Sequence, residues 1–82
     1  MIKKAEFTKL SKSQQEKFTL QYGDFIAKRP YYSYVLKLYK IGQFFVELWY
    51  SPHSEKCVKL EFISDNKYIN NKYLKRIFRS KS

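Results

Sequence analysis

The sequence predicts an α+β domain: an N-terminal helix, a three-stranded antiparallel β-meander and a C-terminal amphipathic helix. Three observations carry this. Phe18, Tyr22 and Phe25 recur at i, i+4 and i+7, and Ile69, Tyr73, Leu74, Ile77 and Phe78 recur at spacings of three and four, so each end of the chain carries a helical stripe. Between them lie three runs rich in β-branched and aromatic residues, 32–41, 44–51 and 56–64. Only Gly42-Gln43 and Pro52-His53-Ser54 separate those runs, and connections that short make hairpins rather than crossovers.

Length sets the outer bound. The 82 residues make a single domain, 1–82. Residues 1–10 read as an N-terminal arm whose Ile2, Phe7 and Leu10 tuck against the fold, and 80–82 as a frayed tail. The first helix starts near Ser11 or Ser13, because Ser11 with Gln14 and Ser13 with Glu16 both have capping-box spacing. Gly23-Asp24 ends it, since glycine takes a left-handed cap without a Cβ clash. Residues 25–29 read as a last turn or as an extended lead-in, and a fourth short strand there is the alternative architecture. Pro30 disfavours helix at Arg29. The closing helix runs from about Asn66 to Arg79, with Ser64 or Asp65 near its cap.

Strand register decides which side chains share a face. A three-residue loop Ile41-Gly42-Gln43 sets Lys37 opposite Glu47, Val35 opposite Trp49, Leu36 opposite Leu48 and Leu38 opposite Val46. A two-residue loop Gly42-Gln43 sets Lys37 opposite Leu48 and Glu47 opposite Leu38. The two exclude each other, because a one-residue slip moves every side chain to the other face. The first is expected, as it separates the faces and pairs opposite charges, worth roughly 0.2–1 kcal/mol per pair. A row Lys37–Glu47–Lys59 then crosses three strands. One face becomes aliphatic, with Leu36, Leu38, Val46, Leu48, Val58 and Leu60, and lies under one or both helices. The other carries Val35, Tyr39, Phe45 and Trp49 among Lys37, Glu47, Lys59 and Glu61.

Leu38-Tyr39, followed shortly by Phe44-Phe45-Val46-Glu47-Leu48-Trp49-Tyr50 after a helix ending near Gly23, resembles a group of small uncharacterised bacterial proteins. The resemblance covers roughly residues 5 to 78. It implies a helix, an antiparallel meander and a closing helix, and it brings no activity, substrate or catalytic residue.

Composition narrows the function classes. Lys and Arg number 17 against 7 Asp and Glu, a net charge of +10. The excess is +6 over residues 1–41 and +4 over 42–82, so it forms one field rather than a basic tail. The single Cys57 excludes an internal disulfide, and one Cys with the single His53 cannot complete a tetrahedral zinc site from this chain alone. The apolar stretch Phe44 to Tyr50 contains Glu47 and is far short of the ~18–20 residues that span a bilayer. The opening residues lack the apolar run of a signal peptide, so the expected compartment is the cytoplasm. No phosphate-cradling glycine loop is present, and no cofactor is expected.

Each reactive constellation has a structural reading that outweighs a catalytic one. His53 and Cys57 flank a turn and lack the third group that a Cys–His nucleophile needs. Glu47 and Glu61 read as ion-pair partners of lysines rather than as an acid–base pair. Two surfaces remain. Val35, Tyr39, Phe45 and Trp49 are expected to meet a protein partner or a second copy of the chain; base stacking is weaker there, since the carboxylate of Glu47 repels phosphate. Lys72, Lys75, Arg76 and Arg79 recur at i, i+3, i+4 and i+7 and can track phosphates along the closing helix. The chain is therefore expected to be a small non-enzymatic binding module, contacting neither membrane nor metal, with nucleic-acid binding as the alternative. A small ribonuclease-type toxin fits size and charge, but no catalytic Arg/His/Tyr arrangement supports it.

Overall fold

The computed structural model describes residues 2–53, 56–64 and 66–74. Two helices open the chain, α1 (Lys4–Phe7) and α2 (Lys12–Tyr22), and four strands follow, β1 (Asp24–Tyr31), β2 (Tyr34–Ile41), β3 (Phe44–Tyr50) and β4 (Cys57–Ile63). They form one antiparallel sheet in the order β1-β2-β3-β4. Helix α3 (Asn66–Ile69) then runs directly into a π-helical turn, Asn70–Leu74. The class is thus α+β with an antiparallel sheet, and the sheet has four strands rather than three. The segment 25–29 belongs to β1, whose Ala27 and Arg29 alternate inward while their neighbours stay exposed.

Local chemistry explains the element boundaries. Ser11 caps α2: its hydroxyl accepts from the Gln14 N–H at 3.2 Å, and the Gln14 amide oxygen accepts from the Ser11 N–H at 3.0 Å. Gly23 closes the helix for a different reason from the one expected. Its φ is −77°, not left-handed, but a Cβ there would lie 2.6 Å from the Thr19 carbonyl oxygen. That oxygen accepts the Gly23 N–H at 2.8 Å, so it cannot move aside without losing the last helical bond.

The expected register is overturned. Ile41 pairs with Phe44, so the loop is Gly42-Gln43, and Leu38 faces Glu47 while Lys37 faces Leu48. Gly42 sits at φ 60° and Gln43 does not have a positive φ, the pattern of a type II′ hairpin turn. Such a turn follows the right-handed twist of the strands, which outweighs one surface ion pair. The Lys37–Glu47–Lys59 row is replaced by Ala27–Leu38–Glu47–Glu61 and by Lys28–Lys37–Leu48–Leu60.

Covering both faces removes the need to segregate them. On one side Phe7 of α1, fully buried, packs with Ile41, Phe44, Val46, Leu48 and Cys57, joined by Ile2, Leu10 and Phe18. The Phe7 ring lies 5.9 Å from Phe18, 5.5 Å from Phe44 and 5.3 Å from Phe62. On the other side Ile69 and Tyr73 bury Leu38, with Ala27, Phe45, Ile63 and Tyr68 around them. The aliphatic side chains expected on one face are divided: Leu36 and Leu38 look toward α3, whereas Val46, Leu48 and Leu60 look toward α1 and α2. Val58, expected in the core, sits at a register shift and is exposed.

Replacing Gly23 by Ala is expected to destabilise the fold by about 1–3 kcal/mol, the usual cost of forcing an added group against backbone. Urea melts read this directly, and an unchanged midpoint would show that the α2–β1 junction relaxes freely.

Candidate functional site

Glu47 occupies the centre of β3 and is 1% exposed. A carboxylate there must be met by donors, and three elements supply them. The Tyr73 hydroxyl donates to Oε2 at 2.6 Å. The Tyr68 hydroxyl lies 2.9 Å from both carboxylate oxygens and accepts from Arg29 Nη2 at 2.7 Å. Arg29 Nη2 itself stands 3.6 Å from Oε2. The guanidinium also sits 5.4 Å from the Tyr31 ring centre, 5.7 Å from Tyr68 and 5.4 Å from Tyr73. Three aromatic faces therefore share in stabilising a cation whose side chain is only 10% exposed.

The π turn helps deliver both tyrosines. Tyr68 and Tyr73 are five residues apart, a spacing that an α-helix turns well away from one direction. Wider π winding brings i and i+5 closer to the same side. Burial first, and then the hydrogen bond to Glu47 and its charge, push the Tyr73 hydroxyl well above the ordinary tyrosine value. Burial does the same at Tyr68. Both hydroxyls stay protonated as donors, and both carboxylate oxygens are engaged. The cluster is built to hold elements together, not to receive a substrate on Glu47.

The four residues expected on one aromatic face are divided between two. Val35 and Tyr39 lie on the α1/α2 side of the sheet, and Phe45 and Trp49 on the α3 side. Tyr39 and Phe45 are half-buried in the two cores, Val35 is exposed, and Trp49 is half-buried. They do not form a common surface. The reason is the two-residue turn, which flips β3 relative to the expected register.

What gathers instead is a ring cluster at the end of the sheet that holds the β1–β2 turn. Tyr31 stands 5.3 Å from Trp49 and Tyr34 stands 5.6 Å from it, both edge to face. Tyr32, at the apex, is 4.7 Å from Tyr31. Lys59 Nζ lies 4.7 Å from the Trp49 ring and 3.0 Å from Glu61 Oε1.

The remaining expected sites separate. Lys72 is exposed on the π turn, whereas Lys75, Arg76 and Arg79 lie outside the described residues, as do Ser54 and Asp65. His53 is exposed in the β3–β4 turn. Cys57 is buried, its thiol donates to the Lys59 carbonyl at 2.9 Å, and burial pushes its pKa up, the reverse of a nucleophile. Among the described residues, no three His, Cys, Asp or Glu side chains gather to hold a metal. No helix among them is long and apolar enough to cross a membrane. An open depression of about 580 Å³ at the other end of the sheet is bounded by Ile2, Lys3, Lys4, Gly42, Phe44 and Ser64.

Sequence reasoning placed Glu47 among surface lysines and missed Arg29, Tyr68 and Tyr73 as its partners. One signal was available: Glu47 is the lone acid in the apolar run Phe44 to Tyr50, and a carboxylate in such a run requires a buried donor.

Two outcomes follow from the cluster. Glu47→Gln leaves Arg29 buried without its counter-charge and is expected to cost about 3–5 kcal/mol in a denaturant melt, while Glu47→Leu with Arg29→Met recovers most of that loss. A loss below about 1 kcal/mol would show that the carboxylate does not lock the sheet to α3. The folded state also holds the Tyr73 proton more tightly than the unfolded chain. This contribution is complete below pH ~10 and is lost as pH rises beyond it, so stability should fall in alkali. Tyr73→Phe should make that fall shallower in melts from pH 8 to about 11.5.

Neither a family model, nor a curated protein, nor a solved structure matches the chain.

Proposed function

We propose that the chain is a small non-enzymatic binding module that meets a macromolecular partner through the rim formed by the end of α2, strand β1 and the β1–β2 turn. One observation carries this reading. Among the described residues, eight of the nine exposed large hydrophobic residues fall between Leu20 and Val35: Leu20, Tyr22, Phe25, Ile26, Tyr31, Tyr32, Tyr34 and Val35. Surface hydrophobic residues scattered singly need no explanation, but a concentration along one rim does.

The rim works through side chains rather than by adding a strand. Tyr31 and Tyr34 flank a two-residue turn and form its hydrogen-bonded pair, so the peptide groups of Lys28 and Pro30 face away from β2. Pro30 has no N–H to offer, Lys28 places a charge on the edge, and a register shift at Ile26 breaks the strand line. These devices block edge-to-edge pairing. With each chain at +10, a second copy is also repelled, which favours a partner of negative charge.

The test is affinity capture from native lysate, with and without nuclease, using wild type and the triple variant Ile26→Ser, Tyr32→Gly, Val35→Ser. The variant is expected to fold but to lose the captured partner, and sedimentation is expected to show a monomer. Identical capture by both proteins would refute the rim. The nuclease arm reports whether the partner is nucleic acid or protein.

A further inference from the structure

We propose that the ring cluster at the β1–β2 end of the sheet is a site for single-stranded nucleic acid, with Tyr32 the ring on which a base stacks; this rests on the rim being the contact surface. Tyr32 is the one non-glycine residue at positive φ, 55°, among those described, and it is 88% exposed. The equivalent position of the neighbouring hairpin turn holds Gly42 at φ 60°, where no side chain is strained. A bulky residue in the left-handed region is disfavoured, and among the described residues the ring makes an edge contact to Tyr31 alone. Strain of this kind, kept at an exposed apex, points to a use outside the chain.

The surroundings suit a stacked base. Tyr31 and Tyr34 are braced edge to face against Trp49, so their rings are already oriented before a ligand arrives. Aromatic rings accept any base, because every base has a π face. The charge is right as well. From Phe25 to Val46 the chain carries Lys28, Arg29, Lys37 and Lys40 and no acidic residue. The nearest carboxylate on β3, Glu47, is sealed behind Tyr68 and Tyr73 and neutralised by Arg29, so it does not repel a phosphate backbone. Glu61 is held by Lys59. Lys28 and Lys37 lie on the opposite face of the sheet; a cation on the rings' own face is Lys59, 4.7 Å from the Trp49 ring and placed to meet a phosphate. A protein partner would use the aliphatic part of the rim, Leu20, Ile26 and Val35, more than the apex rings.

The experiment uses the full chain with fluorescein-labelled dT15, rU15 and a 15-base-pair duplex. Anisotropy gives affinity, and emission from Trp49, the single Trp of the chain, reports contact at the site. Single strands are expected to bind more tightly than duplex and to quench Trp49. Tyr32→Gly should weaken single-strand binding about tenfold while the melting temperature is unchanged or raised, and Tyr32→Phe should keep the affinity. Lys59→Gln should flatten the log–log salt dependence by about 0.7, the contribution of one phosphate on a single strand. Three results would each overturn the proposal: no binding of dT15 or rU15 at low salt, affinity indifferent to Tyr32→Gly, or equal binding of duplex without change at Trp49. If no oligonucleotide binds while the triple rim variant still loses a nuclease-resistant partner, the rim stands and the partner is a protein. If neither is seen, the rim itself falls.

Discussion

A carboxylate sealed inside a small protein costs several kcal/mol unless donors replace the water it has lost. Glu47 finds them on three separate pieces of chain: Arg29 on the edge strand β1, Tyr68 on α3 and Tyr73 on the π turn. The edge strand, the central strand and the closing helical segment are therefore tied at one point. Removing any one partner leaves either a buried charge or a buried hydroxyl unpaired, which is dearer than never having built the network. Arg29 Nε is buried without a hydrogen-bond acceptor among the described residues, so the cation depends all the more on Nη2 and on the three tyrosine faces around it.

This lock and the sheet register require one another. Only with the two-residue turn does Glu47 share a face with Leu38 and come under Tyr68 and Tyr73. The same flip sends Val46 and Leu48 to the opposite side, where Phe7 and the α1/α2 layer wait. In a protein this small, the sheet becomes the middle of three thin layers, and aromatic rings fill much of the space that a larger core would give to aliphatic side chains.

Sealing the acid also shapes the surface. Phosphate repulsion was the argument against base stacking when Glu47 was expected on an open face; with the carboxylate internal, the exposed rings of the β1–β2 end stand in a positive field. The edge strand carries a lysine, a proline and a register shift that keep other strands away, so the rim remains available to side-chain contacts without inviting aggregation.

The sequence by itself determined the class, a helix start at Ser11 or Ser13, the places but not the lengths of the turns after β2 and β3, and the inward tuck of Ile2, Phe7 and Leu10, because capping, turn chemistry and periodicity act over a few residues. It left 25–29 open between turn and strand, since Pro30 forbids helix before it without saying what the extended chain pairs with. Tertiary structure decided the rest. The register rested on whether one face of the sheet stays wet, and that depends on helices from both ends of the chain covering both faces. Arg29, Glu47, Tyr68 and Tyr73 meet across 18 to 44 residues of chain, and no local pattern encodes a contact whose energy appears only when water is excluded.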